Sequence, residues 1–157
     1  MRDAKLESEL KFPVTDLERM RMYLQRARAV ALQPMAREVN LLLDTEDKRL
    51  RQAGCMLRLR RHGDRKTLTF KGPVSYDGAI KERPEYETEL ADLDRMREIL
   101  GELGFGVSMR YEKDREEWLL EEVTVVLDRT PMGEFVEIEG APEKLPQIAD
   151  LLGLTMT

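Results

Sequence analysis

Apolar and polar residues alternate with period two along much of this chain, and segments of helical spacing separate the alternating stretches. In Leu6-Glu7-Ser8-Glu9-Leu10-Lys11-Phe12, one row holds Glu7, Glu9 and Lys11, and the other holds Leu6, Leu10 and Phe12 around Ser8. Successive side chains of an extended chain point to opposite faces, so the stretch predicts a β-strand with one charged and one apolar face. The same alternation predicts strands at 83–90, 107–120 and 135–139 and a hairpin from 56 to 71 that turns at 61–65, while 39–44 reads as a short strand and 123–128 as a strongly β-prone one. His62 falls in that turn and reads as a turn residue. Glu85, Glu87 and Glu89 share a row of uncertain role, either solvated or backing the site.

Helical spacing appears first at Leu17, Met20, Leu24, Ala27 and Ala31, after Thr15 and Glu18 at capping-box separation and ending before Pro34. A second helix is predicted by Leu93, Met96, Ile99, Leu100 and Leu103, closed by Gly104. A third runs from Pro142 through Leu145, Ile148, Leu151 and Leu152 to Gly153. Residues 45–53 read as a short helix or helical turn stopped by Gly54, and 72–82 as a flexible loop of the kind that covers a site. With no linker or low-complexity tract, a single domain over 1–157 is expected.

Each helix has one apolar face and needs an apolar surface to cover. The strand faces that offer one carry Leu6, Leu10 and Phe12, then Leu57 and Leu59, Leu68 and Phe70, and Val136 and Ile138. Covering those faces turns the charged rows the other way, and closure into a barrel with a polar interior accommodates this. The rows balance: Lys11, Arg58, Arg60, Lys71, Lys113 and Arg115 against Glu7, Glu9, Asp128, Glu137 and Glu139. Unpaired burial would cost several kcal/mol per charge, of order ~5. A wet, mixed-charge tunnel holding a metal and a polyanion avoids that cost.

Composition narrows the chemistry. Hydrophobic residues make up 41% and charged residues 36%, which suits an ionic globular protein. The net charge of −5 and 6% aromatics argue against a nucleic-acid partner. No apolar run is long enough to span a membrane, so a cytoplasmic location without a membrane partner is expected. Cys55 and His62 are the only residues of their kinds and make no zinc cluster; Cys55 reads as a small buried hydrophobe.

Carboxylates two apart on a strand lie on one face, roughly 6–7 Å apart at the backbone. Glu7/Glu9 and Glu137/Glu139 could meet across a tunnel and bind a hard cation through oxygen alone, for which Mg²⁺ or Mn²⁺ is expected. Arg58/Arg60 and Lys113/Arg115 offer the donors that phosphate oxygens favour. A metal among many cations suits a triphosphate better than a monophosphate. The sequence has no Gly-rich phosphate loop and no Ser/His/Asp set, which excludes P-loop and serine-hydrolase chemistry.

The ordered motifs are Glu7-x-Glu9-x-Lys11; Asp44-Thr45 followed by Asp47 and Leu50; Leu57-Arg58-Leu59-Arg60; Thr69-Phe70-Lys71-Gly72; Arg83-x-Glu85; Lys113-x-Arg115; Leu127-Asp128; and the run 133–139. In this combination the chain resembles the CYTH superfamily, the triphosphate tunnel metalloenzymes, and most closely its branch of class IV adenylate cyclases and thiamine-triphosphatase-like proteins. The resemblance implies an α+β fold, an eight-stranded antiparallel β-barrel forming a charged tunnel with helices outside. It implies that Glu7, Glu9, Asp128, Glu137 and Glu139 hold one or two divalent ions. Lys11, Arg58, Arg60, Lys71, Lys113 and Arg115 would grip the triphosphate, with Glu7, Glu9, Lys11, Glu137 and Glu139 at the catalytic centre. A metal-dependent triphosphatase acting on tripolyphosphate or a small organic triphosphate is the leading expectation. A class IV adenylate cyclase and a non-catalytic polyphosphate-binding module are the alternatives, with RNA 5′-triphosphatase activity a distant fourth. Whether the protein is a homodimer is open.

Overall fold

The structure is a computed structural model that describes residues 5–154. The first half holds β1 (Lys5–Val14), α1 (Leu17–Arg26), β2 (Val30–Asp44), α2 (Arg49–Gln52), β3 (Met56–His62), β4 (Arg65–Lys71) and β5 (Ser75–Asp77). There follow β6 (Ile80–Glu89), α3 (Leu93–Glu102), β7 (Gly106–Leu120), β8 (Val123–Thr130), β9 (Gly133–Glu139) and α4 (Leu145–Leu151), the last entered through a 3₁₀ turn at Pro142–Lys144. The strands form one sheet in the order β1-β9-β8-β7-β2-β3-β4-β6-β5, and β1 also pairs with β6. Eight strands therefore close into an antiparallel barrel and β5 stays outside it, which is the expected fold class. Among the described residues no helix is long and apolar enough to cross a membrane.

The chain divides into two compact units, each with its own apolar cluster. The first contains Arg37–Ser75 and Arg83–Glu112. Its register sets Leu41, Leu59 and Leu68 abreast on β2, β3 and β4, with Leu43, Leu57 and Phe70 beside them. Leu93, Met96 and Leu100 of α3 pack on that face, and Leu59 is fully buried beneath them. Asp92 caps α3 by accepting from the Arg95 N–H at 2.9 Å. The opposite face carries Asn40, Arg60 and Thr67 in one rank and Leu42, Arg58, Thr69 and Glu87 in the next.

The second unit contains Glu7–Ala36, Tyr76–Glu82 and, among the described residues, 113–154. Across β1, β9, β8 and β7 the register aligns Leu10, Ile138, Val125 and Trp118, and then Phe12, Val136, Leu127 and Glu116. Leu17, Met20 and Leu24 of α1 and Leu145, Ile148 and Ala149 of α4 cover this apolar face. Glu116 is the anomaly in the row. It is 5% exposed, accepts from Trp118 Nε1 at 2.6 Å and from Arg21 Nη2 at 2.6 Å, and so ties α1 to β7. Those hydrogen bonds to Glu116, with a further contact to Glu18, hold the Arg21 guanidinium pKa above its usual value.

Several expectations are corrected. The α1 cap is Asp16 rather than Thr15, its Oδ1 accepting from the Arg19 N–H at 3.2 Å. The helix stops at Arg26 rather than running toward Pro34, because Arg28 adopts φ 60° and a Schellman pair closes the end. In that pair Ala29 N–H bonds Leu24 O at 2.9 Å and Arg28 N–H bonds Gln25 O at 3.1 Å. β2 consequently starts at Val30 and passes through Pro34, where a strand from residue 39 was expected. The stretch 45–53 takes the helical-turn form of its two expected readings, a single turn at Arg49–Gln52 after Lys48 at φ 59°. The segment 72–82 includes β5 and the start of β6, which pair around Gly78 at φ 59°, so it is partly a hairpin rather than a loop. Cys55 is half-buried rather than buried. His62 is not in the turn; it ends β3 opposite Glu38 and Arg65 and is 4% exposed.

Candidate active site

In the second unit, β1 and β9 run antiparallel with Glu9 opposite Glu139 and Lys11 opposite Glu137. Facing positions of neighbouring strands bring side chains of one face together. Glu7, Glu9 and Glu139 each offer a carboxylate oxygen, and these atoms lie within 4.8 Å of one another. Glu7 is 6% exposed. Like charges at ~4 Å repel by about 1 kcal/mol in water and about 4 kcal/mol at the effective dielectric of a protein surface. Cations answer that repulsion. Lys81 Nζ lies 3.6 Å from Glu9 Oε1, and the hairpin that carries it is also held by Ser8 Oγ, which donates to Glu82 Oε1 at 3.4 Å. An oxygen-only donor set of three carboxylates suits a hard divalent ion such as Mg²⁺ or Mn²⁺.

Asp128 and Glu137, expected with the other three, stand beside cations. Arg115 grips Asp128 bidentately, Nε to Oδ1 and Nη2 to Oδ2, both at 2.7 Å. Lys113 Nζ donates to the same carboxylate at 2.9 Å. Burial works against the Asp128 charge, but Arg115 and Lys113 outweigh it and hold its carboxyl below the usual carboxylate range. Glu137 lies 3.4 Å from Arg115 Nη2 and 3.7 Å from Lys11 Nζ. Lys11 also rests 4.7 Å above the Phe135 ring.

In the first unit, the face turned away from α3 carries the other expected cations. Arg58 is 6% exposed, and its Nε is buried with no hydrogen-bond partner. Arg60 donates from Nε to Asn40 Oδ1 at 2.7 Å and lies 3.0 Å from Glu38 through Nη2. Lys71 is 3.7 Å from Glu85, and Thr69 Oγ1 donates to Glu87 Oε1 at 2.6 Å. The Glu85 and Glu87 of uncertain role thus back the basic row. Gly72 lets the end of β4 lie against β6, since a Cβ there would come within 3.1 Å of Pro84 Cγ. Arg83 Nε seals the approach by donating to Gly72 O at 2.9 Å.

Asp44 of the Asp-Thr motif faces the backbone. Burial opposes its charge, but the N–H groups of Leu50, Arg51 and Thr45 prevail and hold its carboxyl below the usual range. Sequence reasoning missed Glu38, Asn40, Lys81 and Glu82. The alternation of Glu38, Asn40 and Leu42 was available once β2 is allowed to start before residue 39. Lys81 and Glu82 were hidden by reading 72–82 as loop.

The profile of the CYTH domain matches residues 5–152. The chain belongs to the CYTH family. A curated protein of Methanocaldococcus jannaschii, named as a proposed adenylate cyclase, is 27% identical over 135 residues, covering 85% of this chain and 76% of that protein. A crystal structure from Vibrio parahaemolyticus, also described as a proposed adenylate cyclase, superposes with a TM-score of 0.81 at 22% identity, covering 95% of this chain and 85% of that one. A third structure, from Hippeastrum, has a TM-score of 0.72 at 18% identity and covers 94% of this chain and 88% of that one. It is described as a proposed adenylyl cyclase with a dominant triphosphatase activity. At these identities the two structures establish the fold, and the CYTH match establishes the family.

Proposed function

We propose that this CYTH protein is a divalent-metal-dependent triphosphatase that hydrolyses tripolyphosphate or a small organic triphosphate, such as thiamine triphosphate or a nucleotide. The observation that carries the reading is the convergence of Glu7, Glu9 and Glu139 within 4.8 Å, on a sheet face that also bears Lys113 and Arg115. A binding module for polyphosphate would need the cations but has no use for such an acidic cluster. Glu7, Glu9 and Glu139 would hold a divalent ion, which when bound neutralises charge on the phosphate oxygens. Asp128 and Glu137 then serve chiefly to aim Arg115, Lys113 and Lys11, with a metal-binding role for either as the wider alternative. Phosphoryl transfer asks the protein mainly for positioning and charge stabilisation. Lys113 and Arg115 are pre-oriented donors of that kind, and Arg58 and Lys71 are assigned the same task on the first unit's polar face.

A second reading, class IV adenylate cyclase, is favoured by the name of the Methanocaldococcus relative. It uses the same grip but has a ribose hydroxyl attack the α-phosphorus. Purified protein with Mg²⁺ or Mn²⁺ is offered tripolyphosphate, thiamine triphosphate and ATP, and phosphate, pyrophosphate and cyclic AMP are scored. Release of inorganic phosphate is expected. Cyclic AMP with pyrophosphate from ATP would establish the second reading instead, and tight polyphosphate binding without turnover would reduce the protein to a binding module.

A further inference from the structure

We infer that Glu38 and Asn40 are positioning residues that set the direction in which Arg60 meets the substrate's phosphate. The inference rests on the reading of Arg60 as a phosphate ligand. All three side chains lie on the polar face of the first unit, with Asn40 directly opposite Arg60 in the β2–β3 register and Glu38 two residues along the same row. They close a triangle: Arg60 Nε to Asn40 Oδ1 at 2.7 Å, Arg60 Nη2 to Glu38 Oε1 at 3.0 Å, and Asn40 Nδ2 to the same Glu38 oxygen at 2.9 Å. Glu38 and Asn40 are each 0% exposed, whereas the Arg60 side chain keeps 14% of its surface.

This arrangement is an expensive way to gain stability alone. Replacing a buried ion pair by apolar residues is often neutral or stabilising, so a carboxylate kept fully buried points to a need for geometry. The brace takes the guanidinium along its Nε–Nη2 edge, which stops rotation of the planar fork about the end of the side chain. A donor held in one plane loses less entropy when it binds an anion. Arg58, two residues away on the same strand, provides the contrast. Its Nε has no hydrogen-bond partner, so the two arginines of the row are held to different degrees. Loosening the brace should therefore act through Arg60 and leave Arg58 unaffected.

The test is a double-mutant cycle on Asn40→Ala and Arg60→Ala, read by kcat/KM for tripolyphosphate with Mg²⁺ and by the Kd of tripolyphosphate from titration calorimetry. Asn40→Ala is expected to weaken both about tenfold in the wild-type background, the scale of one hydrogen bond to a charged group, and less than about twofold in the Arg60→Ala background. An equal loss in both backgrounds, or no loss in either, overturns the positioning role. Arg60→Ala with unchanged Kd overturns the assignment of Arg60 to phosphate, whatever Asn40→Ala does. Because the Kd titration is run in EDTA, where no turnover is expected, inactivity toward every triphosphate would count against the triphosphatase reading alone. Should Asn40→Ala fail to fold, Glu38→Gln enters the same cycle, since it keeps an acceptor oxygen for Arg60 and removes the charge.

Discussion

At the scale of single residues, the proposed chemistry rests on three carboxylates whose oxygens lie within 4.8 Å of one another. Their mutual repulsion is answered in part by Lys81 at Glu9, and the proposed metal would complete the answer. Glu9→Gln and Glu139→Gln are each expected to lower triphosphate turnover by about a thousandfold while the thermal midpoint falls little, since loss of a charge from a repelling cluster does not unbalance the fold. Loss of cooperative unfolding in both variants would make these carboxylates structural instead. Asp44 gives a different prediction. Its carboxyl is held below its ordinary 3.8 by three backbone N–H groups despite the opposing effect of burial. A depressed folded-state pKa adds stability that is fully present above the unfolded value and is lost as pH falls through the folded value. The stability difference between wild type and Asp44→Asn should therefore be constant from neutral pH down to about 5 and shrink below about 4, followed by urea unfolding at each pH. A difference that stayed flat down to pH 2.5 would contradict the hold of those three N–H groups on the carboxylate.

At the scale of elements, the alternation in each strand decides which face it offers, and the helix on the apolar face decides how firmly that choice is kept. Glu116 shows the rule by departing from it. It sits in an apolar rank with Phe12, Val136 and Leu127 because Arg21 reaches it from α1 and Trp118 donates to it. Glu116→Ala would leave Arg21 and the Trp118 N–H without that acceptor, and a loss of about 3 kcal/mol in unfolding free energy is expected by urea titration. A loss below about 0.5 kcal/mol would mean that solvent takes over the role of Glu116. The hairpin of β5 and β6 matters for the same reason: it carries Lys81 to Glu9 and Glu82 to Ser8, so a stretch read as loop supplies contacts to the candidate site.

At the scale of the whole molecule, closure by the β1–β6 pairing leaves the barrel strands with partners on both sides. Each unit then has its own apolar cluster under its own helices and its own polar face. A bound metal should stabilise the native state by mass action, about 2.7 kcal/mol when its concentration is a hundred times its Kd. Mg²⁺ is therefore expected to raise the thermal midpoint of wild type and to leave that of Glu9→Gln unmoved, and EDTA to abolish turnover without unfolding the protein. An equal rise in the variant would place the ion elsewhere.

Much of this was legible in the chain itself. The charged parity of residues 6–12, 56–61 and 135–139 identifies the polar faces, because side chains alternate strictly in an extended backbone. The apolar parity identifies where helices must lie. The ordered motifs carry the family, and the profile match over residues 5–152 agrees with them. What the chain did not reveal depends on partners far apart in sequence. The end of α1 was invisible because Ala27 and Ala31 keep the helical period, while closure depends on Arg28 taking a left-handed conformation. Nor could spacing within β9 separate Glu139 from Glu137. Only the register places Glu139 opposite Glu9, among carboxylates, and Glu137 opposite Lys11, among cations. Local periodicity determined which side chains share a face. The pairing of distant strands decided which of them meet, since a charge takes its role from its neighbours, and those neighbours are chosen by the closed sheet.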